Sequence, residues 1–131
     1  KKLGYKGLPL HEVRCFTRSI LKVLSYIHEL GFVHCDLKLK PENILLVPKS
    51  RKTNTEFIAN ICDFGLARRV QKSKKRKLEH YFNGTHMYLS PEAVRDGVQG
   101  TPCDIWSLGC VMLEMLTGKP AWVKGWMRRV F

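Results

Sequence analysis

Asp36, Asn43 and Asp63 are the residues whose types and positions best suit chemistry in this 131-residue chain. Each lies in a polar loop beside a short apolar run, where a rigid frame can aim a side chain. A carboxylate, an amide and a second carboxylate converging on one spot are what a magnesium–nucleotide site requires. Magnesium takes a few hard oxygen ligands and completes its shell with phosphate oxygens. Asn43 and Asp63 suit that ligand pair, and Asp36 is then left to orient an attacking hydroxyl. The cysteines offer no rival metal chemistry. Cys15, Cys35, Cys62, Cys103 and Cys110 are odd in number, widely spaced and contain no C-x-x-C pair. That pattern speaks against a zinc site or a disulfide framework and predicts reduced thiols in an intracellular protein.

The elements that must position these residues follow from periodicity. Val13, Phe16, Ile20, Leu24, Ile27 and Leu30 recur every three or four residues, which predicts an amphipathic helix over 10–30. Pro9 suits its start and Gly31 its end. Phe32-Val33 is too short for a helix and reads as a brief strand. Ile44–Val47 and Phe57–Cys62 are apolar runs flanked by polar loops and predict a small hairpin. From Ala67 to Asn83 no period survives, so a long basic loop is expected. Ser90-Pro91-Glu92 opens a helix with a hydroxyl cap, a first-position proline and an acid near the positive end of the dipole. A second helix over about 104–117 is apolar nearly all round, which predicts a buried central helix ended by Gly118 and Pro120.

Four motifs now stand in order. They are His34-Cys35-Asp36-Leu37-Lys38 with Pro41-Glu42-Asn43-Ile44-Leu45; Asp63-Phe64-Gly65; Gly84-Thr85 with Tyr88-Leu89-Ser90-Pro91-Glu92; and Asp104-Ile105-Trp106-Ser107-Leu108-Gly109. Together they resemble the protein kinase family: its catalytic loop, its magnesium-binding motif, the end of its activation segment and the start of its buried helix. A lone D-F-G would mean little, whereas the ordered set covers nearly the whole chain. The resemblance implies an α+β, protein kinase-like fold, here the mainly α-helical C-lobe with a short β-hairpin. It also implies one partial kinase domain over 1–131, with the N-lobe and the last helices missing. Val33–Asp36, Tyr88–Val94 and Glu114–Trp122 are further similar to plant kinases of the mitogen-activated protein kinase kinase kinase type.

The resemblance implies roles residue by residue. Asp36 would accept or orient the substrate hydroxyl proton, and Asn43 and Asp63 would hold Mg2+ on the phosphates of ATP. Lys38 would neutralise charge on the transferred group, and its place two residues after Asp36 is the Ser/Thr-kinase pattern. Thr85 would bond the Asp36–Lys38 pair, and Leu45 would floor the adenine site. His34, Phe64, Asp104 and Trp106 would be framework, with the Asp104 carboxylate taking backbone N–H groups of the catalytic loop. Glu92 would lack the arginine that partners it in the family. His11, His28, His80 and His86 are read as surface or loop residues without a ligand role. Cys62 borders the nucleotide site, where an accessible thiol would react with an electrophile and a buried one would be inert.

Three departures from the pattern bear on function. Cys35 stands where many kinases carry an arginine that clamps an activation-loop phosphate, and a neutral thiol cannot do this. The basic loop offers only Ser73 and Tyr81 as phosphate acceptors before Gly84. Asn43 lies seven residues after Asp36, where the family's motif places it five after. Leu39-Lys40 reads as a repeat of Leu37-Lys38, which leaves open whether Lys38 or Lys40 meets the phosphate, and whether the extra pair is an insertion or a splice or gene-reading artefact. Neither a glycine-rich phosphate loop nor a V-A-I-K-like lysine precedes residue 10. The chain has no initiating Met and reads as an internal segment of something longer. The expectation is an ATP-dependent protein kinase present as a fragment that is inactive alone. The alternative is a pseudokinase or truncated interaction module that binds a partner kinase without catalysis.

Composition bounds the rest. Hydrophobic residues make up 44% and charged residues 26%, the balance of a folded globular domain. No apolar run approaches the ~20 residues of a membrane span. The net charge of +12 invites a nucleic-acid partner, but it is concentrated in Arg68–Lys77 and around Lys49, Arg51 and Lys52. No aromatic stacking residues interleave with these runs, so the main partner expected is a protein substrate, another kinase included. A cytoplasmic address fits the thiols, and Lys74-Lys75-Arg76-Lys77 leaves a nuclear one open.

Overall fold

The computed structural model describes residues 6–38, 43–50, 56–70 and 86–122. Helix α1 spans Leu10–Glu29 and buries Val13, Phe16, Thr17, Ile20 and Leu24 along one stripe. Pro9 sits at its N-cap position, and its carbonyl accepts from Glu12 N and Val13 N at 3.0 and 3.1 Å. The helix stops one residue earlier than its apolar pattern. Leu30 has left the helix and is exposed, while Gly31 takes a φ of 79° and donates to His28 O at 2.9 Å. A side chain at Gly31 would be strained in that left-handed conformation.

Strand β1 (Phe32–Val33) follows directly. Strands β2 (Ile44–Pro48) and β3 (Phe57–Ile61) form the expected antiparallel hairpin, with Ile44 opposite Ile61 and Pro48 opposite Phe57. Strand β4 (Arg68–Arg69) pairs antiparallel with β1, Phe32 opposite Arg69 and Val33 opposite Arg68. The start of the expected basic loop is thus strand. Two arginines carry no apolar alternation, and their pairing is set by β1, with the Arg69 guanidinium over the Phe32 ring at 5.6 Å.

A short 3-10 turn (His86–Tyr88) leads to α2 (Pro91–Asp96), where Ser90 caps the N-terminus by accepting from Ala93 N at 3.4 Å. Helix α3 spans Thr101–Thr117, three residues earlier at its start than the motif suggests, because Gly100 caps it and Pro102 occupies its first turn. One side of α3 joins α1, β2 and β3 in a core of Val13, Phe16, Ile20, Leu24, Ile44, Ile61, Leu108, Val111 and Met115. Burial of each large apolar side chain there contributes about 1.5–3 kcal/mol. The helix is not buried all round, however: Ile105, Leu113 and Leu116 are exposed. Apolar content predicts that a helix wants cover, and it does not say which side the chain's own core supplies. No helix among the described residues is long and apolar enough to cross a membrane.

Candidate active site

Strand β1 delivers the chain into a turn that its own sequence does not favour. Cys35 has a φ of 68°, a conformation costly for a residue with a Cβ. The turn is held from outside by Asp104, in the first turn of α3. Its Oδ2 accepts from His34 N at 2.8 Å and its Oδ1 from Cys35 N at 3.0 Å. Asp104 is only 1% exposed, so these bonds compensate a carboxylate removed from water. The framework role expected of Asp104 is therefore visible as geometry.

His34 ties the turn to the next element. Its Nδ1 accepts from Asp36 N at 3.3 Å, which requires that nitrogen to be unprotonated, so the ring proton sits on Nε2 and is donated to Cys62 O at 3.2 Å. The ring also lies edge-on to Phe64, with centroids 5.0 Å apart. Cys62 itself is half-buried rather than sealed in the core. The Cys35 thiol is buried, and burial pushes it up to about 12; the Arg68 guanidinium opposes the shift, and the Asp104 carboxylate reinforces it. Cys35 is thus a neutral, inert side chain under ordinary conditions.

Asp36, Lys38 and Asn43 come into direct contact. Lys38 Nζ lies 2.6 Å from Asp36 Oδ2, and Asn43 Nδ2 donates to Asp36 O at 3.0 Å. The seven-residue interval therefore still returns Asn43 to Asp36. Leu39, Lys40, Pro41 and Glu42 lie outside the described residues, so only Lys38 is placed against the carboxylate. Asp36 Oδ1 and Asn43 Oδ1 are both buried without a hydrogen-bond partner. A buried acceptor left open costs about 1–3 kcal/mol, which marks both atoms as places where a ligand group would be compensated.

Asp63 approaches through its neighbour, since Cys62 N donates to Asn43 O at 2.7 Å. The Asp63 carboxylate is exposed, and its Oδ1 accepts from Gly65 N at 3.2 Å, which steadies a left-handed backbone at φ 58°. A Cβ at Gly65 would stand 3.0 Å from that same oxygen, so glycine keeps the turn open. An open amide oxygen at Asn43 and an exposed carboxylate at Asp63 fit magnesium, whose protein ligands are few and oxygen-based. Among the described residues no three His, Cys, Asp or Glu gather as a metal-holding group. Leu45, on β2 two residues past Asn43, is 47% exposed. Thr85 lies outside the described residues.

One residue assigned no partner by its sequence has one here. His28 Nε2 lies 2.8 Å from Asp104 Oδ2, which corrects its reading as a surface histidine. The signal was present: His28 falls four residues after Leu24, on the continuation of the buried stripe of α1. A polar side chain on that stripe needs a buried partner. Glu92 is likewise not isolated, since Cys103 Sγ donates to its Oε1 at 3.6 Å.

Asp36 and Asn43 are thus buried against a half-buried Lys38, close to the exposed Asp63-Phe64-Gly65 turn, on helices with small antiparallel strand pairs. The family profile described as protein kinase domain matches residues 4–128, and the chain belongs to that family. It is similar to mitogen-activated protein kinase kinase kinase 20 of Arabidopsis thaliana, at 43% identity over 93% of this chain and 33% of that protein. It is also similar to kinase kinase kinase 17 of the same plant, at 42% identity over 83% of this chain and 26% of that protein. Human dual specificity tyrosine-phosphorylation-regulated kinase 3 is 38% identical over 92% of this chain and 18% of its own length. The chain spans a third or less of each of these relatives.

Proposed function

We propose that the protein transfers the terminal phosphoryl group of Mg-ATP to a serine or threonine hydroxyl of a protein, with these residues forming the mainly helical C-lobe of its kinase domain. The observation that carries this reading is the Asn43–Asp36 bond, which closes the seven-residue interval and leaves Asp36 Oδ1 and Asn43 Oδ1 open beside Lys38. Asp36 would take the hydroxyl proton. Asn43 and Asp63 would hold the metal, which supplies charge neutralisation at the phosphates. Lys38 two residues after Asp36 supports serine or threonine over tyrosine. Similarity to proteins named as mitogen-activated protein kinase kinase kinases supports another kinase as the substrate class. Activity is assigned to the whole protein, and the 131 residues alone are expected to be silent.

The test is phosphate transfer from labelled ATP by the full-length protein, with Asp36→Asn and Asp63→Ala beside the parent. Removing the proton acceptor is expected to lower the rate about 10²–10⁴-fold. No transfer by the parent would reject catalysis and leave the interaction-module reading, and equal measurable rates for parent and Asp36→Asn would reject Asp36 as the proton acceptor. Label transfer by the isolated 131 residues, abolished by Asp63→Ala, would overturn the expectation that they are inactive alone.

A further inference from the structure

Helix α1 commits one side to the core and turns a row of cations outward. Val13, Phe16, Ile20 and Leu24 are buried, whereas Arg14, Arg18 and Lys22 are all exposed. The three recur every fourth residue, so they stand one above another at steps of about 6 Å along the helix. Like charges at that spacing weaken a helix, so the row does nothing for the element that carries it. Among the described residues no carboxylate pairs with any of the three. Glu12 is two residues before Arg14 and does not face it. Glu29 accepts from Ser25 at 3.2 Å, and Glu56 at the base of the hairpin is taken by Lys49 at 2.8 Å. Apolar groups border the row on both sides. Leu21, three residues after Arg18, is 43% exposed, and Tyr26, four after Lys22, is 64% exposed. Phe57 of β3, also exposed, joins the Tyr26 side, where Cys15 Sγ donates to Phe57 O at 3.8 Å.

We propose that the outward row of Arg14, Arg18 and Lys22 is a docking surface for an acidic amphipathic helix of a protein partner. A partner helix has the same rise per residue, so carboxylates at every fourth position meet the three cations in register over about 12 Å. Leucines beside those carboxylates cover Leu21 on one flank and Tyr26 on the other, which adds apolar burial to the charge pairs. An anionic membrane fits less well, because α1 has already buried the apolar face that an interfacial helix inserts. Single-stranded nucleic acid fits less well again, because it stacks on aromatic rings set among the cations, and on α1 only Tyr26, at the end of the row, is aromatic and exposed. The row takes no part in the transfer chemistry described above, so docking and catalysis are separable.

The experiment measures binding of the full-length protein to a fluorescein-labelled helical peptide with glutamate at every fourth position and leucine beside each. A scrambled peptide of the same composition serves as the control for charge alone. The periodic peptide is expected to bind roughly tenfold tighter than the scrambled one, and more weakly as salt is raised. Combining Arg14→Gln, Arg18→Gln and Lys22→Gln should weaken it about tenfold through the loss of three exposed charge pairs. That variant should unfold in urea no earlier than the parent, because like-charge repulsion along α1 is removed. Arg18→Glu alone, at the centre of the row, should cost several-fold and decides the matter if the combined variant is less stable. Replacing Lys74, Lys75, Arg76 and Lys77 by glutamine should leave the affinity within about twofold, as those residues lie outside the row. Absence of binding, equal affinity for the two peptides, or equal affinity of parent and α1 variants would overturn the proposal. So would a loss confined to the 74–77 variant. Phosphatidylserine vesicles or oligothymidylate bound as tightly as the peptide, and released by the same α1 substitutions, would also overturn it and give the row to a membrane or a nucleic acid.

Discussion

The turn from Val33 to Asp36 meets the segment that follows the hairpin at His34, whose ring bonds Cys62 O and lies edge-on to Phe64. The two sides are built in opposite ways. Val33, His34, Cys35 and Asp36 are all buried, and the amides of the last three are bound by side chains of the same chain. By contrast Leu45 and Leu46 on β2, and Phe64 and Leu66 beside Asp63 in the chain, are exposed apolar residues. The difference locates where energy is stored. The turn is held by polar bonds from Asp104 on α3 and from Cys62 just past β3. The open strip gains its stabilisation only from whatever covers it, so binding energy registers there.

The sharpest way to break this comparison is Asp104→Ala. It strips the acceptor from His34 N, Cys35 N and His28 at once, and no second acceptor for those groups is found among the described residues. Stranded buried donors cost about 1–3 kcal/mol each, so a loss of about 3–5 kcal/mol is expected in urea unfolding. Leu46→Ala on the open strip should shift stability by no more than about 0.5 kcal/mol. Comparable losses for the two variants would mean that the strip is as much a part of the folded core as the turn.

A smaller effect separates the two sides by pH. The folded Cys35 thiol titrates at about 12 against an ordinary 9.0, chiefly because it is buried. Above pH 9 the unfolded chain releases that proton and the folded chain keeps it. The unfolded state then binds fewer protons, so stability falls as pH rises from about 9 towards 12. The limiting slope for one group is about 1.4 kcal/mol per pH unit. Between pH 8 and pH 10 the parent should therefore lose about 1.4 kcal/mol more than Cys35→Ala, measured by urea unfolding at both values. Parallel losses would show that the thiol is not sealed in the turn.

The open side was largely legible in the sequence, and the anchored side only in part. Motif order alone named Asp36, Asn43 and Asp63, because each is identified by its immediate neighbours. Alternation named the β2–β3 hairpin, and the spacing of Val13, Phe16, Ile20 and Leu24 named α1. His28 was missed because its partner is 76 residues away, and nothing near it in the chain specifies a buried carboxylate. Arg68–Arg69 reads as loop in the sequence because a two-residue strand is defined by its partner and carries no period of its own. The exposed side of α3 was missed for a related reason. Ile105 and Leu116 look the same in sequence whether or not the core reaches them. The seven-residue interval shows the converse: spacing suggested damage, and the Asn43–Asp36 bond shows that contour length was absorbed without separating the pair.

The smallest expected effect tests the open strip directly. Leu45 projects from β2 opposite Asn60 and is 47% exposed, so its truncation removes little that the fold already uses. Leu45→Ala should leave urea stability within about 0.5 kcal/mol of the parent. If Leu45 floors the adenine site, the variant instead loses contact made only with nucleotide. Removing a side chain's worth of apolar contact of this size costs about 1 kcal/mol, which raises the KM for ATP roughly fivefold with kcat unchanged. Stability and KM therefore move independently at Leu45, whereas Asp104→Ala moves stability first. A Leu45→Ala variant that unfolds more readily yet binds ATP as the parent does would place the residue with the core and dissolve the distinction between the two sides.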